Sequence, residues 1–354
     1  MWGFREISIK QRDVILNPSR VIPSGAKNLA FPSQGILHEE SYKFMTMRDP
    51  SLLSGRQKSG FLESLNQVFC SIPLSFYVIL LFMQQSTPPK PITSKENSAV
   101  KYLRSLSDPK QRKKEQAFLI EGIKMVEEAL RGGTGVNMVV AAPSLVQHHG
   151  KGILKLAEKH STDILWVSDR LMDAVAETKT PQPVMAVVQM KEHFEHELLA
   201  HGSKLLVICH QLQDPGNLGT IIRTAEAAGA AGVAITPNTV DPYNAKTVRA
   251  SMGSILRVPV VRIADVSAFI KKCRQEGFQT AAMTLEGSKT HFNLDLRKPT
   301  AVIVGQEGTG LLEDILDNVD HRVRIPMAET IDSLNVATSA AVFLYEVMRQ
   351  RMKQ

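Results

Sequence analysis

Three cysteines in 354 residues are too few and too scattered to form a disulfide framework. They stand at Cys70, Cys209 and Cys273, and no C-x-x-C or H-x-x-x-H spacing offers a zinc ligand set. His148 and His149 are adjacent, so a helix or strand would point them apart. A reducing, cytoplasmic compartment and no structural metal are therefore expected. A bilayer-spanning run is missing too. The one strongly apolar stretch, Ile72 to Met83, falls short of the roughly 20 residues that cross a membrane. It lies far from the start of the chain and is followed by Pro88, Pro89 and Pro91, which does not suit a signal peptide. No firm membrane association is expected.

What is present is ordinary for a soluble globular protein: 43% hydrophobic and 22% charged residues, in a chain long enough for two domains and extra material. The net charge of +7 fits a polyanionic partner, because Lys and Arg gain by releasing counterions from phosphates. A solvated basic surface without a partner accounts for the charge equally well.

Residues 1–95 differ in texture from the rest. Short apolar fragments are broken by Pro18, Pro23, Pro32, Pro50 and Pro73, and no long period survives. Three readings compete: a disordered extension, a weak membrane-surface anchor, or translated upstream sequence ahead of a start near Met83. The last is favoured, because domain-like sequence begins only after Ser94.

Residues 97–191 read as a small α/β domain in which strands and helices alternate. Strands are predicted at Phe118–Gly122, Val136–Ala141, Ile164–Val167 and Val184–Met190. Helices are predicted at Ile123–Leu130 and Gly152–His160, with a third, capped by Ser168, reaching Glu177. Lys101, Arg104, Lys110, Arg112, Lys113 and Lys114 gather near one end of this domain. They read either as a solubilising charge run or as phosphate contacts. Residues 192–203 read as a linker.

From residue 204 onward the pattern is βαβ, which implies a parallel sheet. The strand Lys204–Cys209 enters a polar loop, Asp214–Gly219, and then a helix, Thr220–Ala228. That loop is no G-x-G-x-x-G phosphate cradle, and no acidic residue ends the next strand, Gly232–Thr236, to hold a ribose, which argues against an ordinary dinucleotide site. Asn217 and Arg223 fall at the carboxyl edge of the sheet, where ligands of open α/β sheets collect. The strand Thr300–Val304 runs into Gly305-Gln-Glu-Gly-Thr-Gly310, whose glycines place Glu307 in a tight turn. Another strand, Val323–Met327, leads through Ser333-Leu-Asn-Val336 into a C-terminal helix.

These segments resemble the SpoU/TrmH family of the SPOUT superfamily, from about residue 98 to the C-terminus. Asn217, Gly219, Arg223, Thr224 and Ala225 match the family's N-x-G-x-x-x-R-T-A motif. Gly305, Glu307, Gly308 and Gly310 match its G-x-E-G-x-G loop. Ile325-Pro326-Met327 and Ser333-Leu334-Asn335-Val336 match its I-P-M and S-L-N-V segments. Arg249 to Gly253, followed by Val258-Pro259-Val260, is also similar. Each motif alone is weak, but three in order at domain spacing are specific. The sequence departs from many members at Ala337, where they carry a second serine; Ser339 follows two residues on.

The resemblance implies a deep trefoil knot over 204–354, preceded by an L30e-like substrate-binding domain, and a homodimer formed through the knot. It implies S-adenosylmethionine held by backbone around Gly305, Ile325 and Leu334. It implies 2′-O-ribose methylation of structured RNA, ribosomal RNA favoured over transfer RNA; a knotted base methyltransferase or a catalytically silent RNA-binding relative are the alternatives. Asn217, Glu307, Ser333 and Asn335 would orient ribose and arginine, and Lys246 and Arg249 would touch RNA. Arg223 is the implied catalytic residue. A guanidinium stays protonated, so its physical role would be to lower the hydroxyl's pKa electrostatically while an RNA phosphate or water takes the proton.

Overall fold

The computed structural model describes residues 90–352 except 147–149, 179, 201 and 203. Cys70, the run Ile72–Met83, His148 and His149, and nearly all of the 1–95 segment lie outside the described residues. The chain is already engaged at Ile92, ahead of the boundary expected at residue 97: its amide donates to the Trp166 carbonyl and its own carbonyl accepts from Ser168.

Two short helices, α1 (Ser98–Ser105) and α2 (Pro109–Glu115), open the small domain. α2 starts on Asp108 as N-cap with Pro109 behind it, where a proline loses no helical hydrogen bond. The predicted alternation then follows with shifts of a residue or two. The strands are β1 (Ala117–Glu121), β2 (Val136–Ala141), β3 (Asp163–Trp166) and β4 (Val184–Gln189). The helices are α3 (Ile123–Arg131), α4 (Lys151–Lys159) and α5 (Asp169–Val175), the last capped by Ser168 as expected. The sheet runs β1-β4-β2-β3, with β4 antiparallel to both neighbours and β3 parallel to β2.

The 192–203 segment is not a free linker. It forms the short helix α6 (Glu195–Leu198), and Leu198 and Leu199 are buried in the core of the following domain. That domain is a seven-stranded sheet, order β7-β6-β5-β10-β8-β11-β9, parallel at every pairing. Its members are β5 (Leu205–Cys209), β6 (Val233–Ile235), β7 (Val260–Arg262), β8 (Gln279–Met283), β9 (Lys289–Thr290), β10 (Thr300–Val304) and β11 (His321–Arg324). β5 and β10 are buried along their whole lengths, as the continuous apolar runs of a doubly covered parallel sheet require. One face is covered by α7 (Pro215–Ala227), α8 (Ala245–Ala250) and α11 (Val336–Arg351), the other by α9 (Val266–Gln275) and α10 (Glu313–Leu316).

Two features of the junction were not readable from sequence. A single apolar core runs from Phe118, Val126 and Val188 of the small domain into Ile221, Ile255 and Phe343 of the large one. Arg112 is not a free phosphate contact. It is 4% exposed, donates from Nη2 and Nε to Asp241 Oδ2 across the junction at 2.6 and 3.2 Å, and from Nη1 to the carbonyls of Leu106 and Ser107. The helix α2 turns its side chain inward because two unpaired carbonyls and a carboxylate wait there.

Candidate functional site

Because the strands are parallel, their carboxyl ends share one edge, and the loops after β5, β10 and β11 meet there. The first is shorter than expected. Asp214 caps α7 by accepting from the Asn217 amide at 2.9 Å, and Pro215 occupies the first turn, so Asn217 and Gly219 are already helical. Gly219 is needed for packing: a Cβ would lie 2.4 Å from the Thr247 carbonyl and 2.6 Å from the Ala250 methyl, so α7 and α8 touch there.

The loop after β10 closes on itself. The Gly310 amide donates to the Gln306 carbonyl at 3.0 Å, and Gly308 and Gly310 hold φ of +95° and +70°, favourable only without a side chain. Gly305 is buried beneath this turn, with space for a Cβ taken by the Gly310 carbonyl at 2.4 Å. The turn presents the Glu307 carboxylate. Its Oε1 accepts from Asn217 Nδ2 at 2.7 Å and its Oε2 from the Gln213 amide at 3.2 Å.

The third loop follows β11, which stops at Arg324 rather than continuing to Met327; Pro326 has no amide to extend a ladder. Asn335 caps α11: its Oδ1 accepts from the amides of Ala337 and Thr338. Its Nδ2 donates to Asn217 Oδ1 at 3.0 Å. One chain of hydrogen bonds, Asn335 to Asn217 to Glu307, thus ties together loops from three strands. Ala337 is buried in the core, so the serine of other members would put a hydroxyl among apolar groups here.

Ser333 is exposed and outside this network. So is Arg223, which is exposed and has no hydrogen bond or ion pair among the described residues. It follows Gly219 by one turn, on the α8 flank of α7, about 9 Å along the axis from Asn217. The structure therefore joins Asn217, Glu307 and Asn335 and leaves Arg223 an exposed, unpaired cation further along α7, outside that network. Gln213 is the site residue that sequence reasoning missed. Besides its amide bond to Glu307, its side chain donates to the carbonyls of Gln211 and Asn238, linking the β5 and β6 loops.

Of the other cations named from sequence, Lys246 pairs with Asp214 at 2.7 Å, Lys101 with Glu96 at 2.6 Å, and Lys114 with Glu115 at 3.9 Å. The hydrogen bond from Lys246, followed by that of the Asn217 amide, holds the Asp214 carboxyl below the usual carboxylate range. Arg249 is half-buried and lines a small cleft that Glu121 and Glu177 of the small domain also line. Arg104, Lys110 and Lys113 are exposed and unpaired among the described residues. Under the site, burial and then the Glu307 charge push the Cys209 thiol far up, so it stays protonated and inert.

Residues 325–335 make one internal backbone hydrogen bond among the described residues, Ile331 to Ala328, leaving most of their amides and carbonyls unspent. Ile325 and Met327 are half-buried and Leu334 is 37% exposed, an apolar wall beside those polar groups. An adenosyl group fits that combination, with a flat apolar ring and a hydrogen-bonding edge. No group of three His, Cys, Asp or Glu side chains is placed to hold a metal among the described residues.

The model of the SpoU rRNA methylase family matches residues 204–345, and that of the MRM3-like substrate binding domain matches 97–186. A tRNA/rRNA methyltransferase of Synechocystis, itself uncharacterized, is 36% identical over 260 residues, 73% of this chain and 94% of the relative. The chain belongs to the SpoU methylase family. The 23S rRNA (guanosine(2553)-2′-O)-methyltransferase of Bacillus subtilis is 35% identical over 73% of this chain and 99% of its own length. Among solved structures, the AdoMet-bound rRNA methyltransferase of Sinorhizobium meliloti superposes with a TM-score of 0.66 at 32% identity, over 75% of this chain and 99% of its own. The SpoU methyltransferase AviRb of Streptomyces viridochromogenes, with its cofactor AdoMet, gives 0.66 at 28% identity, over 72% and 98%. This SpoU-family chain thus shares its two-domain arrangement and its mostly parallel sheet with enzymes solved independently.

Proposed function

We propose that this chain methylates a ribose 2′-hydroxyl of structured RNA from S-adenosylmethionine, with ribosomal RNA preferred over transfer RNA. The observation that carries the reading is the hydrogen-bonded chain Asn335–Asn217–Glu307, which fixes three motif loops at one sheet edge and leaves Arg223 as the uncommitted charge. The named relatives of B. subtilis and S. meliloti support RNA as substrate, the former at the ribose.

S-adenosylmethionine, when bound, supplies an electrophilic methyl carbon on a sulfonium. Ile325 and Leu334 would give its adenosyl group an apolar wall, and the backbone around Gly305 and along 325–335 would give it hydrogen bonds. Asn217, Asn335 and the Ser333 hydroxyl orient the ribose, while Glu307 holds Asn217 in place. Holding nucleophile and donor in line supplies several kcal/mol of the barrier. The Arg223 charge stabilises the developing 2′-oxyanion, typically worth about 3–4 kcal/mol, and the proton leaves to an RNA phosphate or water.

A second copy of the chain is proposed to complete the site, and the C-terminal helix α11 to be threaded in a knot. Leu312, Ile331, Leu334 and Tyr345, each 37–55% exposed, spread apolar surface around the motif loops and α11. An intracellular place of action follows from the substrate; no helix among the described residues is long and apolar enough to cross a membrane.

Incubation with total bacterial RNA and labelled cofactor, followed by mapping of 2′-O-methyl positions, tests the reading. Label confined to bases, or no label from a protein that binds the cofactor, defeats it. Arg223→Ala is expected to lower turnover about 10²–10³-fold with cofactor affinity retained; unchanged turnover removes Arg223 from the mechanism.

A further inference from the structure

A broad cleft of about 1080 Å³ lies between the small domain and the β6–β7 end of the large sheet. One wall comes from α2 and the segment entering α6; the other comes from the loop after β6 and from Arg262 at the end of β7. Six cationic side chains line it against three carboxylates. Two of those carboxylates are already neutralised: Asp241 by Arg112 and Arg262, and Glu195 by Lys272. Among the described residues Glu192 is the remaining one, while Lys110, Lys113 and Lys191 are exposed with no ion pair. The uncompensated charge is positive.

The cleft also carries an aromatic platform. Phe194 is 50% exposed and stacks on His196, with ring centroids 5.8 Å apart and planes within 10°. Its backbone is pinned, because the Phe194 amide donates to Glu197 Oε1 at 2.9 Å while Glu197 Oε2 bonds His193 at 2.8 Å. A half-exposed ring on a pinned backbone, sharing a cleft with unpaired lysines, is the combination that binds single-stranded nucleic acid, with bases stacked on rings and phosphates on cations. A duplex keeps its base faces covered and would leave the ring unused. Placement supports the same occupant. Parallel strands put the ends of β6 and β7 on the edge that carries the motif loops, and Gln213 joins the two regions through Glu307 and Asn238.

We propose that this cleft holds a single-stranded stretch of the RNA substrate, with one base stacked on the Phe194–His196 pair and phosphates on Lys110, Lys113 and Lys191. The proposal rests on RNA being the substrate and extends the site from the reacting nucleotide to a neighbouring strand.

Fluorescence anisotropy on the full chain, with labelled oligoadenylate as probe, tests it. Phe194→Ala is expected to weaken binding at least about fivefold, and Phe194→Trp to preserve it. The triple variant Lys110→Ala, Lys113→Ala, Lys191→Ala is expected to flatten the slope of log affinity against log salt by about two. Circular dichroism and thermal midpoints matching the wild type establish that the variants are folded. Unchanged affinity and salt slope in folded variants overturn the proposal, as does wild-type protein that prefers an RNA duplex to the oligoadenylate. Label transfer to total RNA is measured in parallel. Label present with oligoadenylate binding insensitive to the variants removes the cleft and leaves the proposed reaction standing. Sensitive binding without label upholds the cleft and removes the reaction.

Discussion

Asn217 gives one amide to two partners, donating to Glu307 and accepting from Asn335. Its replacement by alanine leaves both without that bond and frees three loops to drift. Misplacement of a reacting group by about 1 Å costs roughly 10²-fold in rate, so Asn217→Ala is expected to lower kcat by about that factor. Asn217→Asp should do no better, because a second carboxylate would face Glu307 where a donor stood. Steady-state kinetics decide; a change confined to KM would place Asn217 in binding alone. The residues of this network were nameable from motif resemblance, but their bonds were not. They join positions 90 and 118 apart in sequence, and no local period reports on such pairs. Gln213 went unnoticed for a related reason: half of its role is played by its backbone amide, which has no residue signature.

At the scale of elements, most strands and helices followed from period and punctuation, and the errors cluster at helix starts and strand ends. Asp214-Pro215 is a cap and first-turn signal that reads equally as a turn. Asn335 caps α11 although Ser333, two residues earlier, is as good a cap by residue type, and only the path of the loop chooses between them. α11 also carries an acid-sensitive anchor. Glu346 accepts from Arg349 and Gln350, and Gln350 in turn binds the 294–296 segment through the Leu294 carbonyl and the Leu296 amide. The Arg349 bond, more than any other contact, brings the Glu346 pKa from 4.5 down to about 2. A carboxyl with a depressed folded pKa stabilises fully above its unfolded value and loses that contribution as pH falls through the folded one. Glu346→Gln should therefore lower the thermal midpoint at pH 7, with the gap to wild type closing between about pH 4.5 and 2. A gap independent of pH would show that the carboxylate charge is irrelevant. Gly219→Ala forces a methyl into the α7–α8 contact and is expected to cost about 1–3 kcal/mol in denaturant unfolding, despite alanine's better helix propensity.

For the whole molecule, the decisive feature is that the two domains share a core and a set of ion pairs. Arg112 spans the junction to Asp241, and Arg257 ties Glu128 of the small domain to Glu226 of α7. Removing one partner of a buried pair typically costs about 3–5 kcal/mol. Arg112→Ala is expected to fall in that range, and calorimetry should show the transition broadening or dividing as the domains uncouple. A single sharp transition at the wild-type midpoint would mean that the shared apolar core alone holds the junction. The charge run at 109–115 gave no hint of this. Sequence composition marks a cation as basic, but whether it meets solvent or a distant carboxylate depends on how two domains dock.

The sequence alone determined the alternation of strands and helices, the parallel sense of the large sheet, and which loops fall at its carboxyl edge. Each of these follows from short-range periodicity, chain connectivity and side-chain type. Tertiary structure alone decided which polar groups find one another, that Leu198 and Leu199 are buried in the core of the large domain, and that Arg112 is buried while Arg223 is not. Those outcomes depend on distances between residues far apart along the chain, and burial and hydrogen bonding are settled only when the elements come into contact.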